Sequence, residues 1–171
     1  WFFPEIGIDV IWPHSNIESI INDPIITAIH EKTEIHIREK VKQECYGALK
    51  EYGIDLSQHK FVCLHVRDGA YKNDSHRKSY RNSNIENYIE LIKFLIKNHY
   101  IVIRLGDKPS PKLNFNDNKF IDYPYSDIKS DLMDLYLIMR CNFFVTTQSG
   151  LLETAYMFGK PVLTTNMCEL F

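Results

Sequence analysis

Paired cysteines, a basic excess and long apolar runs are all missing from this sequence, and each absence narrows its function. The four cysteines, Cys45, Cys63, Cys141 and Cys168, form no CxxC pair and have no histidine at metal-ligand spacing. That argues against a structural zinc site and against a disulfide scaffold, and it fits reduced thiols in the cytoplasm. No signal peptide is recognisable, and no apolar run approaches the roughly 18 residues that span a bilayer. The expected location is therefore cytoplasmic, at most against the inner face of a membrane. With a net charge of −2 the chain has no basic excess for nucleic acid or a polybasic membrane surface. It also lacks a DxD element in a strand context, so no divalent metal is implied. Internal repeats and low-complexity segments are absent.

What remains is ordinary globular composition. A chain of 171 residues with 44% hydrophobic and 25% charged residues can bury one core of its own. It opens at Trp1 without a methionine and stops just after an apparent strand, Pro161–Thr165, so a piece of a longer protein is expected. Residues 1–28 are aromatic and proline-punctuated, with a possible strand at Ile6–Trp12, and are expected to be a connector or the edge of an N-terminal acceptor domain. Residues 29–171 are expected to form the main domain. From Ile29 onward, Ile37, Val41, Cys45, Ala48, Leu49 and Tyr52 recur at helical spacing and Gly53 supplies a stop, which predicts one long amphipathic helix.

Beyond it the pattern alternates. Phe61–Val66 reads as a strand, Arg67–Asn84 as a polar loop, and Ile85, Tyr88, Ile89, Ile92, Leu95 and Ile96 as a helix. Tyr100–Leu105 is a second strand, ending in Gly106-Asp107. A short strand follows at Lys119–Tyr123, then a helix marked by Leu132, Leu135, Tyr136 and Met139. Near-continuously apolar strands alternating with helices predict an α/β, Rossmann-like, mostly parallel sheet with helices on both faces. Ligands of such sheets bind off the carboxyl ends of the strands.

Two features at those ends seek anions. Asn142–Thr165 reads as strand, turn, helix and strand. Its turn, Thr146-Thr147-Gln148-Ser149-Gly150, brings hydroxyls, an amide and bare backbone to a helix N-terminus, where free N–H groups and the helix dipole favour phosphate. At the end of the first strand, His65 and Arg67 lie two apart and are expected on one face. A guanidinium binds phosphate oxygens bidentately and keeps its charge, and an imidazole can read a base edge or a ribose hydroxyl.

HVRD at the first strand, LGD at the second, an acidic position in SDLMDLYLIMRCNFFV and TTQSGL at the last turn together resemble the donor-binding half of GT-B glycosyltransferases. The likeness is to the group of α1,6-fucosyltransferases and protein O-fucosyltransferases, and to a bacterial glycosyltransferase family found with surface-polysaccharide genes. That family carries similar YRN and IENY motifs, here Tyr80-Arg81-Asn82 and Ile85-Glu86-Asn87-Tyr88. The resemblance runs from about Phe61 to Asn166. It implies a glycosyltransferase that moves a sugar from a nucleotide-diphosphate donor to a glycan, with inversion and without a metal or other cofactor.

It also implies roles. Arg67 would bind the departing diphosphate, and His65 and Asp134 would read the base. Gly106 and Asp107 would lie near the nucleotide, and Thr146, Thr147, Gln148, Ser149 and Gly150 would cradle the pyrophosphate, with Asp68 and Leu151 adjoining. Those fucosyltransferases carry a second arginine where this chain has Asp68, so a GDP-sugar is favoured only through the resemblance and the base stays open. In the polar loop, Lys72 and Arg81 would hold sugar or acceptor, among the further basic residues His76, Arg77 and Lys78. Ser149-Gly150, Glu153 and the Gly-Lys-Pro ending are similar to the nucleotide site of sugar-nucleotide 2-epimerases, where Glu153 would bond a ribose. A non-catalytic nucleotide-binding module is a third reading.

Overall fold

A computed structural model describes residues 8–11, 34–69, 80–108 and 111–167. Two short strands, β1 (Ile8–Ile11) and β2 (Glu34–Ile37), pair antiparallel as a separate ribbon. The helix α1 (Glu39–Glu51) follows directly. Of the helix expected from Ile29, residues 29–33 lie outside the described residues, Glu34–Ile37 form a strand instead, and the helix runs from Glu39. Glu34-Ile35-His36-Ile37 alternates with period two and carries β-branched residues at every second position, which suits a paired strand better than a helix. Ile37 nonetheless enters the main core at 1% exposure. Gly53 ends α1 as expected: its φ of +96° lets Ile54 N–H return to Leu49 O at 2.8 Å.

The main sheet has five strands in the order β5-β4-β3-β6-β7, every pair parallel. They are β3 (Lys60–His65), β4 (Tyr100–Leu105), β5 (Phe120–Asp122), β6 (Phe143–Thr146) and β7 (Val162–Thr164). The connections carry α2 (Ile89–Lys97), preceded by a 3-10 turn at Ile85–Tyr88, then α3 (Asp131–Arg140) and α4 (Gly150–Met157). Caps set their starts. Asn84 accepts from Glu86 N–H, and Ser130 accepts from Met133 N–H.

The pleat of β3 divides the core. Phe61 and Cys63 pack in the cluster shared with Leu49, Leu137 and Ile138 of α1 and α3, while Val62 and Leu64 pack with Ile92 and Leu95 of α2. Helices therefore cover both faces, which is why the middle of each central strand is apolar. The three described thiols, Cys45, Cys63 and Cys141, are free and buried inside.

One central-strand residue breaks that rule. Arg104 of β4 is 2% exposed and lies 3.1 Å from Asp122 of β5. It also donates to Pro111 O at 2.7 Å, while Asp122 accepts from Leu113 N–H at 3.0 Å. The pair thereby fastens the segment after residue 111 onto the sheet. Removing one partner leaves the other buried and uncompensated, so Asp122→Ala should cost about 3–5 kcal/mol in urea denaturation, and Arg104→Met with Asp122→Leu should cost much less. Equal losses in the single and double variants would refute this account of the pair.

Candidate functional site

The strand order fixes where a ligand can enter. From β3 the chain proceeds outward through β4 and β5, then returns to the other side of β3 for β6 and β7. The connections therefore leave the carboxyl ends of β3 and β6 in opposite directions, and a crevice opens between them. His65 and Thr146 are register partners at that point.

Hydrogen bonds tie the two strand exits together. Thr147 N–H donates to His65 O at 3.2 Å, and Arg67 N–H donates to Thr147 Oγ1 at 2.9 Å. Arg81 Nη2 donates to Gln148 O at 2.9 Å, and Ser83 N–H donates to Arg67 O at 2.8 Å. The features expected at the first strand and at the last turn thus form one continuous edge. One detail differs from expectation. Arg67 lies past the last residue of β3, so strand alternation does not set its side chain on the face of His65; what the structure fixes is its backbone, through Thr147.

Ser149 occupies the N-cap position of α4 without capping it. Its hydroxyl pairs instead with His65 Nδ1 at 3.1 Å, with Thr146 Oγ1 3.4 Å from the same nitrogen. Thr146 donates to Thr147 O. Leu152 N–H donates to Ser149 O at 3.1 Å, so in the first turn of α4 it is the N–H groups of Gly150 and Leu151 that have no intrahelical acceptor and no side-chain cap among the described residues. Together with the positive end of the helix they make an anion-binding edge. Burial pushes the His65 pKa down to about 4, Asp68 opposing this and Arg104 reinforcing it, with Asp107 and Arg67 acting more weakly in opposite senses. His65 is a neutral imidazole at neutral pH, able to hydrogen-bond but not to supply charge.

A second cluster adjoins through Asp107, which follows Gly106 at the end of β4. Gly106 has a φ of +145°, which suits a residue without Cβ. Lys129 lies 2.6 Å from Asp134 and 3.5 Å from Asp107, and its ammonium sits 5.6 Å from the centre of the Tyr123 ring. Burial raises the Asp134 carboxyl above its usual range, with Lys129 pulling it back. Burial likewise opposes the charge on Lys129, but the bonds to Asp134 and Asp107 outweigh it and hold its pKa above the ordinary value. Lys129 carries no motif that marks it in the sequence; only the fold reveals it.

The other expected residues separate. Asp68 is half-buried beside Arg67, Leu151 is half-buried and Glu153 is exposed in the first turn of α4. Lys72, His76, Arg77 and Lys78 lie outside the described residues. Among the described residues no group of three or more His, Cys, Asp or Glu could hold a metal ion, and no helix is long and apolar enough to cross a membrane.

The fold is a Rossmann-like α/β domain with a crevice at its topological switch point, where the N-terminus of α4 meets the exit of β3. Among solved structures it is similar to the ADP-heptose LPS heptosyltransferase II of E. coli, with a TM-score of 0.53 and 16% identity over 77% of this chain. The chain spans 38% of that protein's length. No protein-family model and no curated protein matches the sequence.

The half-buried imidazole makes stability depend on pH. An unfolded histidine takes up a proton near pH 6.5, whereas His65 resists it down to about 4. As pH falls through that window the unfolded chain binds more protons, so stability should drop with a slope of at most about 1.4 kcal/mol per pH unit from this group. His65→Asn should flatten the profile between those limits in urea titrations, and an unchanged slope would place the effect elsewhere.

Proposed function

We propose that this chain is the donor-binding domain of a GT-B glycosyltransferase and binds a nucleotide-diphosphate sugar at the crevice between β3 and β6. The observation that carries the reading is the junction of the two anion-seeking segments there: His65 and Thr146 in register, and Arg67 N–H bonded to Thr147 Oγ1 at 2.9 Å. The fold likeness to a heptosyltransferase supports a nucleotide-sugar donor of the same general kind, and the HVRD, YRN and TTQSGL motifs support it independently. A glycan is the acceptor in this reading.

In the transfer, an acceptor hydroxyl oxygen attacks the anomeric carbon on the face opposite the diphosphate. The bond from that carbon to the diphosphate oxygen breaks with its electron pair, and the hydroxyl proton passes to a base supplied outside the described residues. Configuration at the anomeric carbon inverts. The leaving diphosphate gains negative charge in the transition state, where fixed donors help most. Arg67 supplies a permanent positive charge, and the Gly150 and Leu151 N–H groups at the start of α4 supply donors that need no reorganisation. Neutral His65, steadied by Ser149, would hydrogen-bond the nucleoside. Asp134 would act on the base side of the crevice through Lys129, which it holds at 2.6 Å. A metal is not needed to offset the leaving charge in this scheme.

Thermal-shift and calorimetric titration with ADP, GDP, UDP, CDP and dTDP at up to millimolar concentration test the reading. One or more should stabilise the chain, and Arg67→Ala should weaken that ligand about ten- to a hundredfold, the worth of a charge-assisted contact. No stabilisation by any of the five would remove the donor-domain reading.

A further inference from the structure

A cavity of about 440 Å³ lies between α1, α3 and the loop that enters β3, a volume within the range of small-molecule sites. Arg140 ends α3 just before β6, and Ser57 lies just before β3. The cavity therefore sits toward the amino ends of these strands, away from the crevice at their carboxyl ends.

Its polar groups divide into those already engaged and those left over. Lys42 Nζ lies 3.3 Å from Glu39, Tyr46 donates its hydroxyl to Asp55 Oδ1 at 3.0 Å, and Ser57 donates to the same oxygen at 2.6 Å. Tyr136 and Arg140, also in the lining, make no side-chain hydrogen bond or ion pair among the described residues. Tyr136 is only 3% exposed, yet its hydroxyl is not among the partnerless atoms sealed from solvent, so the surface it keeps opens onto the cavity it lines. Leaving such a group without a partner is costly. Arg140 is near enough for its charge to oppose the burial that raises the Tyr136 pKa.

The groups left over set the class of ligand. A phenol O–H and guanidinium N–H groups are donors, so the guest must accept. Lys42 and Arg140 set against Glu39 leave one net positive charge in the lining, which matches a monoanion; a phosphate dianion would bring excess negative charge beside Glu39. A carboxylate fits the planar guanidinium fork and leaves a lone pair for the phenol. Leu56 and Met139 give the walls apolar surface, which suits an apolar or aromatic body.

We propose that the cleft between α1 and α3 binds a small monocarboxylate, its carboxylate held by Arg140 and the Tyr136 hydroxyl and its apolar body packed against Leu56 and Met139. The site is separate from the nucleotide crevice and does not depend on the donor-domain reading.

Ligand-observed NMR titration of the whole chain with phenylacetate, indole-3-acetate and octanoate tests this, with phenylacetamide as the neutral control. At least one carboxylate should bind at about millimolar concentration, as fragments of this size do, and phenylacetamide about tenfold more weakly than phenylacetate. Arg140→Met should weaken the bound carboxylate about tenfold, and Tyr136→Phe severalfold. Tyr136→Phe should not lower the melting temperature, because the hydroxyl it removes bonds nothing in the protein; if it does melt early, Arg140→Met, altered at an exposed position, carries the comparison. Acetyl-glycyl-phenylalanine with a free or an amidated C-terminus separates two sources of the group: tighter binding of the free acid than of phenylacetate supports the site with a chain terminus as guest, and weaker binding supports it with a free small acid. The proposal is overturned if no carboxylate binds, if phenylacetamide matches phenylacetate, or if Arg140→Met leaves the affinity unchanged.

Discussion

The parallel pairing of β3 with β6 is the constraint on which the rest of the site depends. It places two strand exits side by side whose continuations run opposite ways, so the backbone there cannot be satisfied by further ladder bonds. Thr147 resolves this from both directions: its N–H goes to His65 O and its Oγ1 accepts Arg67 N–H. One fully buried threonine thus locks the chain leaving β3 to the turn that opens α4. A residue without the hydroxyl leaves a buried N–H unpaired, and that cost is what ties the position of Arg67 to the position of the turn.

Buried charge follows a consistent logic. Where two charges sit inside the sheet, as with Arg104 and Asp122, each is paired, and each also bonds a backbone group of the loop it secures. Lys129 is treated in the same way by Asp134 and Asp107. His65 takes the other route and stays neutral, because burial outweighs the carboxylates around it. The carboxyl edge of the sheet therefore combines a neutral imidazole, a neutralised lysine and an uncapped helix end, while each of its described carboxylates has a partner or an electrostatic contact. Such an edge can accept a dianionic group without first expelling a fixed negative charge.

Much of this was legible in the sequence. Tyr100–Leu105 forms its strand over the expected residues, and Phe61–Val66 and Asn142–Val145 are displaced by only one residue, because strands buried on both faces are apolar throughout and stand out between polar segments. The Gly53 stop was legible because a local backbone need, a positive φ, is met by a residue type. The misreading at Glu34–Ile37 arose because this short alternating strand abuts a helix, and its isoleucines fit both periods. Lys129 and Asn166 were not legible. Lys129 joins Asp134 nearby to Asp107 on another strand exit, and Asn166 reaches Asn82, meetings across the fold that no short-range pattern encodes.

Two kinds of construction meet at the crevice, and they respond differently to sequence change. Its edge is built largely from backbone N–H groups and from bonds between strand exits, so most side-chain substitutions in the turn leave those donors in place. Beside it Arg81 donates a side-chain bond to Gln148 O, and a single replacement of that residue removes it. The turn is therefore tied to the exit of β3 through Thr147 and again through Arg81, while the β3–β6 pairing that creates the crevice depends on neither side chain.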